Sequence, residues 1–211
     1  MNALEKVAEI GILPVIAVPS VEAAVPLAKA LCEGGVSAIE VTCRNAHALE
    51  AVRAIRAALP EMTIAAGTIL REDQVEAAKA AGVDFLVTPG LDADIVRKAQ
   101  SVGLPIVPGV TNPTEITAAL KLGLSTLKFF PAEISGGVAA LTLYHGPFPD
   151  VRFVPTGGMN EANIGAYLKK PFVSACGGSY MAKGDDIKAG RFDVIAANCR
   201  RCVAIARESR G

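Results

Sequence analysis

The stretch GVDFLVTPGLDADIVRKAQSVGL, residues 82–104, contains one complete structural unit and decides how the rest of the chain is read. Phe85 to Pro89 is an apolar run of strand length, and residues 92–100 follow with the period of a helix. Gly82-Val83 and Gly103-Leu104 bracket the unit, each glycine able to take the left-handed conformation that ends a helix before the next strand. The same punctuation recurs at Gly35-Val36 and Gly123-Leu124. A short strand, a helix and a glycine, repeated, are the pattern of a parallel sheet built by helical crossovers.

Working outward, strands are expected at about 12–18, 38–43, 63–69, 85–89, 105–110, 126–130, 152–156 and 173–177. Helices are expected at about 21–33, 46–58, 72–80, 92–100, 113–121, 138–144, 160–168 and 186–207. Eight units of roughly 25 residues use the whole chain, apart from a short N-terminal helix, which is close to the minimum for a (β/α)8 barrel. The expected architecture is therefore α/β: one TIM barrel domain over residues 1–211 with an extra N-terminal helix. An open doubly wound sheet is the alternative, but neither G-x-G-x-x-G nor G-x-x-x-x-G-K-[ST] occurs, so nucleotide binding loses its usual support.

Composition narrows the function. With 51% hydrophobic and 20% charged residues the chain is a folded globular protein rather than a disordered one. Twenty-one basic residues balance twenty-one acidic ones, leaving no long-range field for nucleic acid or an anionic membrane. The uncharged run Ile10 to Val21 contains Pro14 and Pro19 and is too short to span a bilayer, and the start of the chain is not signal-like. A cytoplasmic location is expected. Five cysteines suit reduced thiols, and Cys199 and Cys202 fall on an apolar stripe with Phe192, Ile195, Ala196, Val203 and Ala206, which reads as core packing. His47 and His145 are too few and too far apart for the usual zinc site, so neither a metal nor a cofactor is expected.

In a parallel barrel, reactive residues belong at the C-terminal ends of strands. Alternation along residues 38–44 puts Ile39, Val41 and Cys43 toward the helices and Glu40, Thr42 and Arg44 toward the interior. Lys128 is the one lysine inside a strand candidate. Two readings of it stand side by side: an amine made nucleophilic by desolvation or a neighbouring cation, or a structural ion pair with Glu40. Gly157-Gly158 and Gly178-Ser179 end the last two strands, where backbone N–H groups, aided by a helix N-terminus, commonly hold phosphate in such barrels.

These segments together resemble a known family. Ile39-Glu40-Val41-Thr42-Cys43-Arg44, Ala66-Gly67-Thr68, Thr88-Pro89-Gly90, Pro108-Gly109-Val110, Leu127-Lys128-Phe129-Phe130-Pro131-Ala132-Glu133, Val154-Pro155-Thr156-Gly157-Gly158 and Gly177-Gly178-Ser179 are similar, in order, to the 2-keto-3-deoxy-6-phosphogluconate (KDPG) aldolases. That resemblance implies a homotrimeric class I aldolase releasing pyruvate and glyceraldehyde 3-phosphate, with cleavage of 4-hydroxy-2-oxoglutarate (KHG) as a second activity. Its partners would be a 2-keto acid and a phosphorylated aldehyde.

Carried over by position, the resemblance makes Lys128 the Schiff-base amine and Glu40 the general acid and base. Arg44 and Thr68 would hold the pyruvyl carboxylate, Pro89 and Phe130 would line the pocket, and Thr156 would face the sugar hydroxyls. Gly157, Gly158, Gly178 and Ser179 would take the phosphate. Cys43 stands where the family pattern suggests leucine, facing the helices. The competing functions are a galactonate-epimer aldolase, a non-covalent phosphosugar isomerase or epimerase, and a phosphosugar-binding regulatory barrel without turnover.

Overall fold

A computed structural model describes all 211 residues. The chain opens with α1 (Ala3–Ile10), whose start is fixed by a capping box: Glu5 N donates to Asn2 Oδ1 at 2.9 Å and Asn2 N donates to Glu5 Oε2 at 2.7 Å. Gly11, at φ 77°, ends it. There follow β1 (Ile12–Ile16), α2 (Val21–Glu33), β2 (Ala38–Thr42), α3 (Ala48–Ala58), β3 (Thr63–Gly67), α4 (Glu72–Ala81), β4 (Phe85–Val87) and α5 (Ala93–Ser101). Next come β5 (Ile106–Val107), β6 (Gly109–Val110), α6 (Pro113–Lys121), β7 (Thr126–Phe129), a 3-10 turn over Glu133–Ser135, and α7 (Gly137–His145). The chain closes with β8 (Arg152–Pro155), α8 (Ile164–Leu168), β9 (Cys176–Gly178), α9 (Gly184–Lys188) and α10 (Phe192–Arg210).

Every strand pair is parallel, so the chain must cross over between consecutive paired strands, and helices supply the crossovers. Six strands form one sheet in the order β5-β4-β3-β2-β1-β9, and three form a second, β6-β7-β8. The expected uninterrupted ring of eight strands is thus realised as two hydrogen-bonded sheets. Pro108 divides the fifth strand because it has no N–H to donate, although its carbonyl still accepts from Lys128 N at 2.8 Å. At the other seam only two isolated bridges, Phe153 to Val173 and Thr156 to Gly177, connect the sheets.

Alternation sorts the strand side chains into two layers. Ile39, Val41, Ile64, Leu86, Leu127 and Phe129 pack outward against the helices in the large apolar core. Leu13, Ala38, Ala65, Phe85, Val87, Val107 and Val154 face inward, with Val7 of α1 closing them from below. The helix-ending glycines behave as read: Gly35, Gly82, Gly103 and Gly123 all have φ between 74° and 88°. No helix is long and apolar enough to cross a membrane.

Three local expectations are corrected. The last helix is not continuous over 186–207, because Gly190 at φ 67° separates α9 from α10. The last strand is Cys176–Gly178 rather than 173–177, since Val173 makes only a bridge and the ladder with β1 starts at Cys176. The helix expected at 160–168 starts only at Ile164, after the loop in which Asn160 and Asn163 bond the backbone.

Candidate active site

The inward face of β2 brings Glu40 into the interior, and the inward face of β7 brings Lys128 in from the opposite side. They meet: Lys128 Nζ lies 3.4 Å from Glu40 Oε1, with the side chains 7% and 2% exposed. A carboxylate and an ammonium this deep are tolerable only because each is beside the other. The Phe130 ring lies over the amine, its centroid 5.2 Å from Nζ.

Glu40 owes its position to an absent side chain. A Cβ on Gly67, opposite Thr42 in the β2–β3 register, would fall 2.1 Å from Glu40 Oε1. Gly67→Ala must therefore displace the carboxylate or the strand. The expected result is a loss of about 1–3 kcal/mol in denaturant unfolding together with a fall in turnover, as overpacking in a rigid interior does. Unchanged values for both would show that the glycine has no such role.

The strand ends carry the remaining candidates. Arg44, just past β2, donates from Nε to Thr68 Oγ1 at 3.3 Å, so both residues lie on one side of the mouth. Thr68 has φ 59°, a left-handed conformation costly for a β-branched residue, and such strain typically persists where surrounding structure holds a functional group in place. Pro89 follows β4, its loop held by Thr88, whose hydroxyl donates to Gly90 O at 2.6 Å. Gly109 passes so close to the Pro89 carbonyl that a Cβ there would come within 2.1 Å of the oxygen.

Thr156 is buried at the end of β8 and faces Gly177, where a Cβ would lie 2.4 Å from Thr156 Oγ1. Beside it Gly157 and Gly158 have φ 98° and 83°. Their carbonyls are engaged within the chain: Gly157 O accepts from Glu133 N at 3.1 Å, and Gly158 O accepts from Asn160 Nδ2 at 3.3 Å and Asn163 Nδ2 at 3.0 Å. The N–H groups of Gly157, Gly158 and Ser179 have no acceptor within the chain, which suits an anion. A helix does not assist: α8 and α9 are each five residues long and begin well after the glycines.

The supports behind this turn escaped the sequence reading. Glu133 accepts a hydrogen bond from the buried Tyr167 hydroxyl, and its Cβ and Cγ lie where a Cβ on Gly158 would be. Burial, then the Glu133 carboxylate, raises the Tyr167 phenol far above its ordinary range. The Asn160-Asn163 spacing was the available clue, but three-residue Asn spacings are common in turns.

The cysteines serve packing. Cys199 is buried where α10 crosses the end of α2, so close that a Cβ on Gly34 would be 2.3 Å from its own Cβ. Burial pushes the Cys199 and Cys202 thiols each up to about 12. Cys43, half-buried against the apolar core, is pushed up to about 11 by burial and then by the Glu40 charge. From the ordinary 9.0 this shift removes about 99 in 100 thiolates at neutral pH. Iodoacetamide at about pH 8 is expected to label Cys43 in the folded protein about 100-fold more slowly than in the unfolded chain, with the rate rising toward pH 11. Mass spectrometry of the labelled peptide measures it, and equal rates would refute it.

Known proteins resemble this chain along most of its length. The sequence profile of the KDPG and KHG aldolases matches residues 4–198. The 2-dehydro-3-deoxy-phosphogluconate aldolase of Haemophilus influenzae is 43% identical over 204 residues, covering 97% of this chain and 96% of that one. The KHG/KDPG aldolase of Escherichia coli K12 is 41% identical over 196 residues, covering 93% and 92%. Among solved structures, KDPG aldolase from Legionella pneumophila, with pyruvate captured as a covalent carbinolamine, superposes with a TM-score of 0.91 at 34% identity, covering 95% and 97%.

Proposed function

The chain belongs to the KDPG and KHG aldolase family, and from that membership we propose how its own residues carry the reaction: a class I aldolase cleaving KDPG to pyruvate and glyceraldehyde 3-phosphate. The observation that carries this reading is the buried Lys128–Glu40 pair at 3.4 Å. Cleaving the C3–C4 bond leaves an electron pair on C3. A protonated imine between Lys128 and C2 accepts it as a neutral enamine.

Each earlier and later step moves a proton. Carbinolamine formation, loss of water, removal of the C4 hydroxyl proton and protonation of the enamine all need an acid or base beside the amine, and Glu40 is the carboxylate there. Arg44 can take the substrate carboxylate through two parallel hydrogen bonds, with Thr68 beside it, so that C2 faces Nζ. Pro89 and Phe130 wall the pyruvyl unit, Thr156 meets the sugar hydroxyls, and the N–H groups around Gly157, Gly158, Gly178 and Ser179 hold the distant phosphate. That remote contact supplies binding energy that orients the reacting bond.

In this reading residues 1–211 are one domain, the two sheets are halves of a single (β/α)8 barrel seamed at Pro108 and at Thr156–Gly177, and the protein works in the cytoplasm with its thiols reduced. It is a homotrimer: Ile134 and Leu143, 86% and 77% exposed, give α7 and the turn before it an unpartnered apolar face. Light scattering is expected to give about three times the mass of one chain.

Release of pyruvate, followed with a coupled dehydrogenase, tests the activity. KDPG is expected to react faster than its galactonate epimer, and KHG to be cleaved to pyruvate and glyoxylate. No pyruvate from any of the three would overturn the reading. Glu133→Ala is expected to raise KM for KDPG at least about 10-fold while leaving KM for unphosphorylated KHG within about 2-fold, because Glu133 supports the turn that meets the phosphate. Equal changes for both substrates would remove Glu133 from that role.

A further inference from the structure

The chain has no net charge, yet one cavity in it is strongly basic. It lies below the Lys128–Glu40 pair, at the end of the interior opposite the strand ends that carry Arg44, Thr68 and the glycine turns. Its volume is about 690 Å³. Leu13, Phe85, Val87, Val107 and Val154 form apolar walls, and Glu40 and Lys128 form the ceiling. The side of α1 carrying Leu4 and Val7 lies along it from below.

Charge collects around this space, with five basic side chains against two acidic ones. Lys128 and Glu40 answer each other at the ceiling, leaving Arg152, Lys169, Lys170 and Arg210 around Glu5. Glu5 is occupied as the capping partner of Asn2. Arg152 and Arg210 donate to backbone carbonyls, which bind them without neutralising them. Lys169 and Lys170, at the end of α8, have neither a carboxylate nor a hydrogen-bond acceptor for their ammonium groups. Apolar walls under a rim of unanswered cations match one ligand chemistry, an anionic head on a hydrocarbon body.

We propose that this cavity is a second ligand site, taking a small amphipathic carboxylate with its head at Lys169 and Lys170 and its chain among Leu13, Phe85, Val107 and Val154. The chain's far end reaches the underside of the Lys128–Glu40 pair. A ligand there and a keto acid above would share two wall residues without sharing space, so their affinities are linked in both directions. The site is independent of which sugar acid is cleaved, or of cleavage at all.

Octanoate and its uncharged counterpart 1-octanol test it on the full-length protein by calorimetry. Octanoate is expected to bind once per chain with a Kd below about 1 mM, and to go on binding when pyruvate is saturating. Lys169→Glu with Lys170→Glu is expected to weaken octanoate at least about 10-fold while leaving 1-octanol binding and pyruvate release unchanged. Loss of octanoate binding on adding pyruvate in strict competition would place the ligand in the upper mouth and overturn the proposal. So would no binding up to about 10 mM, or equal octanoate affinity in the doubly substituted protein.

Discussion

Replacing Lys128 with alanine is expected to lower pyruvate release at least about 10⁴-fold and to abolish the covalent adduct formed when pyruvate and borohydride are added. The size follows from geometry. The proposed reaction requires an amine in the interior next to a carboxylate, and Lys128 is the lysine that reaches Glu40. Alanine also leaves Glu40 buried without its partner, an arrangement costing about 3–5 kcal/mol when a charge is stranded, so reduced stability accompanies the lost turnover. Lys128→Arg separates the two effects. A guanidinium keeps the charge next to Glu40 but forms no imine, so this variant is expected to be more stable than the alanine variant and equally inactive. Mass spectrometry of the tryptic peptide reads the adduct. Substantial turnover by the arginine variant would show that the reaction does not pass through this amine and would favour non-covalent isomerase chemistry.

Glu40→Gln is expected to reduce kcat by about 10²–10⁴-fold, the usual worth of one positioned proton-transfer group. Glutamine has the same shape, fits the gap left by Gly67, and can still bond Lys128, so the fold is preserved while the proton-transfer group is removed. Two measurements divide its roles. Exchange of the pyruvate methyl protons for deuterium, followed by NMR, requires both the imine and a base, and should slow by a similar factor. Borohydride trapping requires only the imine, and should proceed more slowly but to completion. Exchange at the wild-type rate would mean that another group moves the protons.

Legibility differed from one part of the site to another. The inward turn of Glu40 was readable because a strand's alternation is local: Ile39 and Val41 seek the helices, and their neighbour must face the other way. Lys128 stood out for the same reason, a lone cation within an apolar strand. The glycine caps at 35, 82, 103 and 123 were readable because positive φ is a property of a single residue. The break at Gly190 and the late start of β9 were not, since a helical or strand-like pattern continues through both and only pairing with neighbours ends it. Gly67 and Gly109 were visible as glycines but not as spacers, because Glu40 and the Pro89 carbonyl that crowd them lie more than 15 residues away.

The order of strands and helices, the face each side chain takes and the family pattern were decided by the sequence itself, since each depends on residues within a few positions of one another. The 3.4 Å approach of Lys128 to Glu40, 88 residues apart in the chain, was decided only when β2 and β7 closed across one interior. So was the basic cavity beneath them, assembled from the first helix, six strands, the segment after α8 and the last helix. Distances between remote residues depend on how packed layers curve and close, and periodicity along a chain carries no measure of that closure.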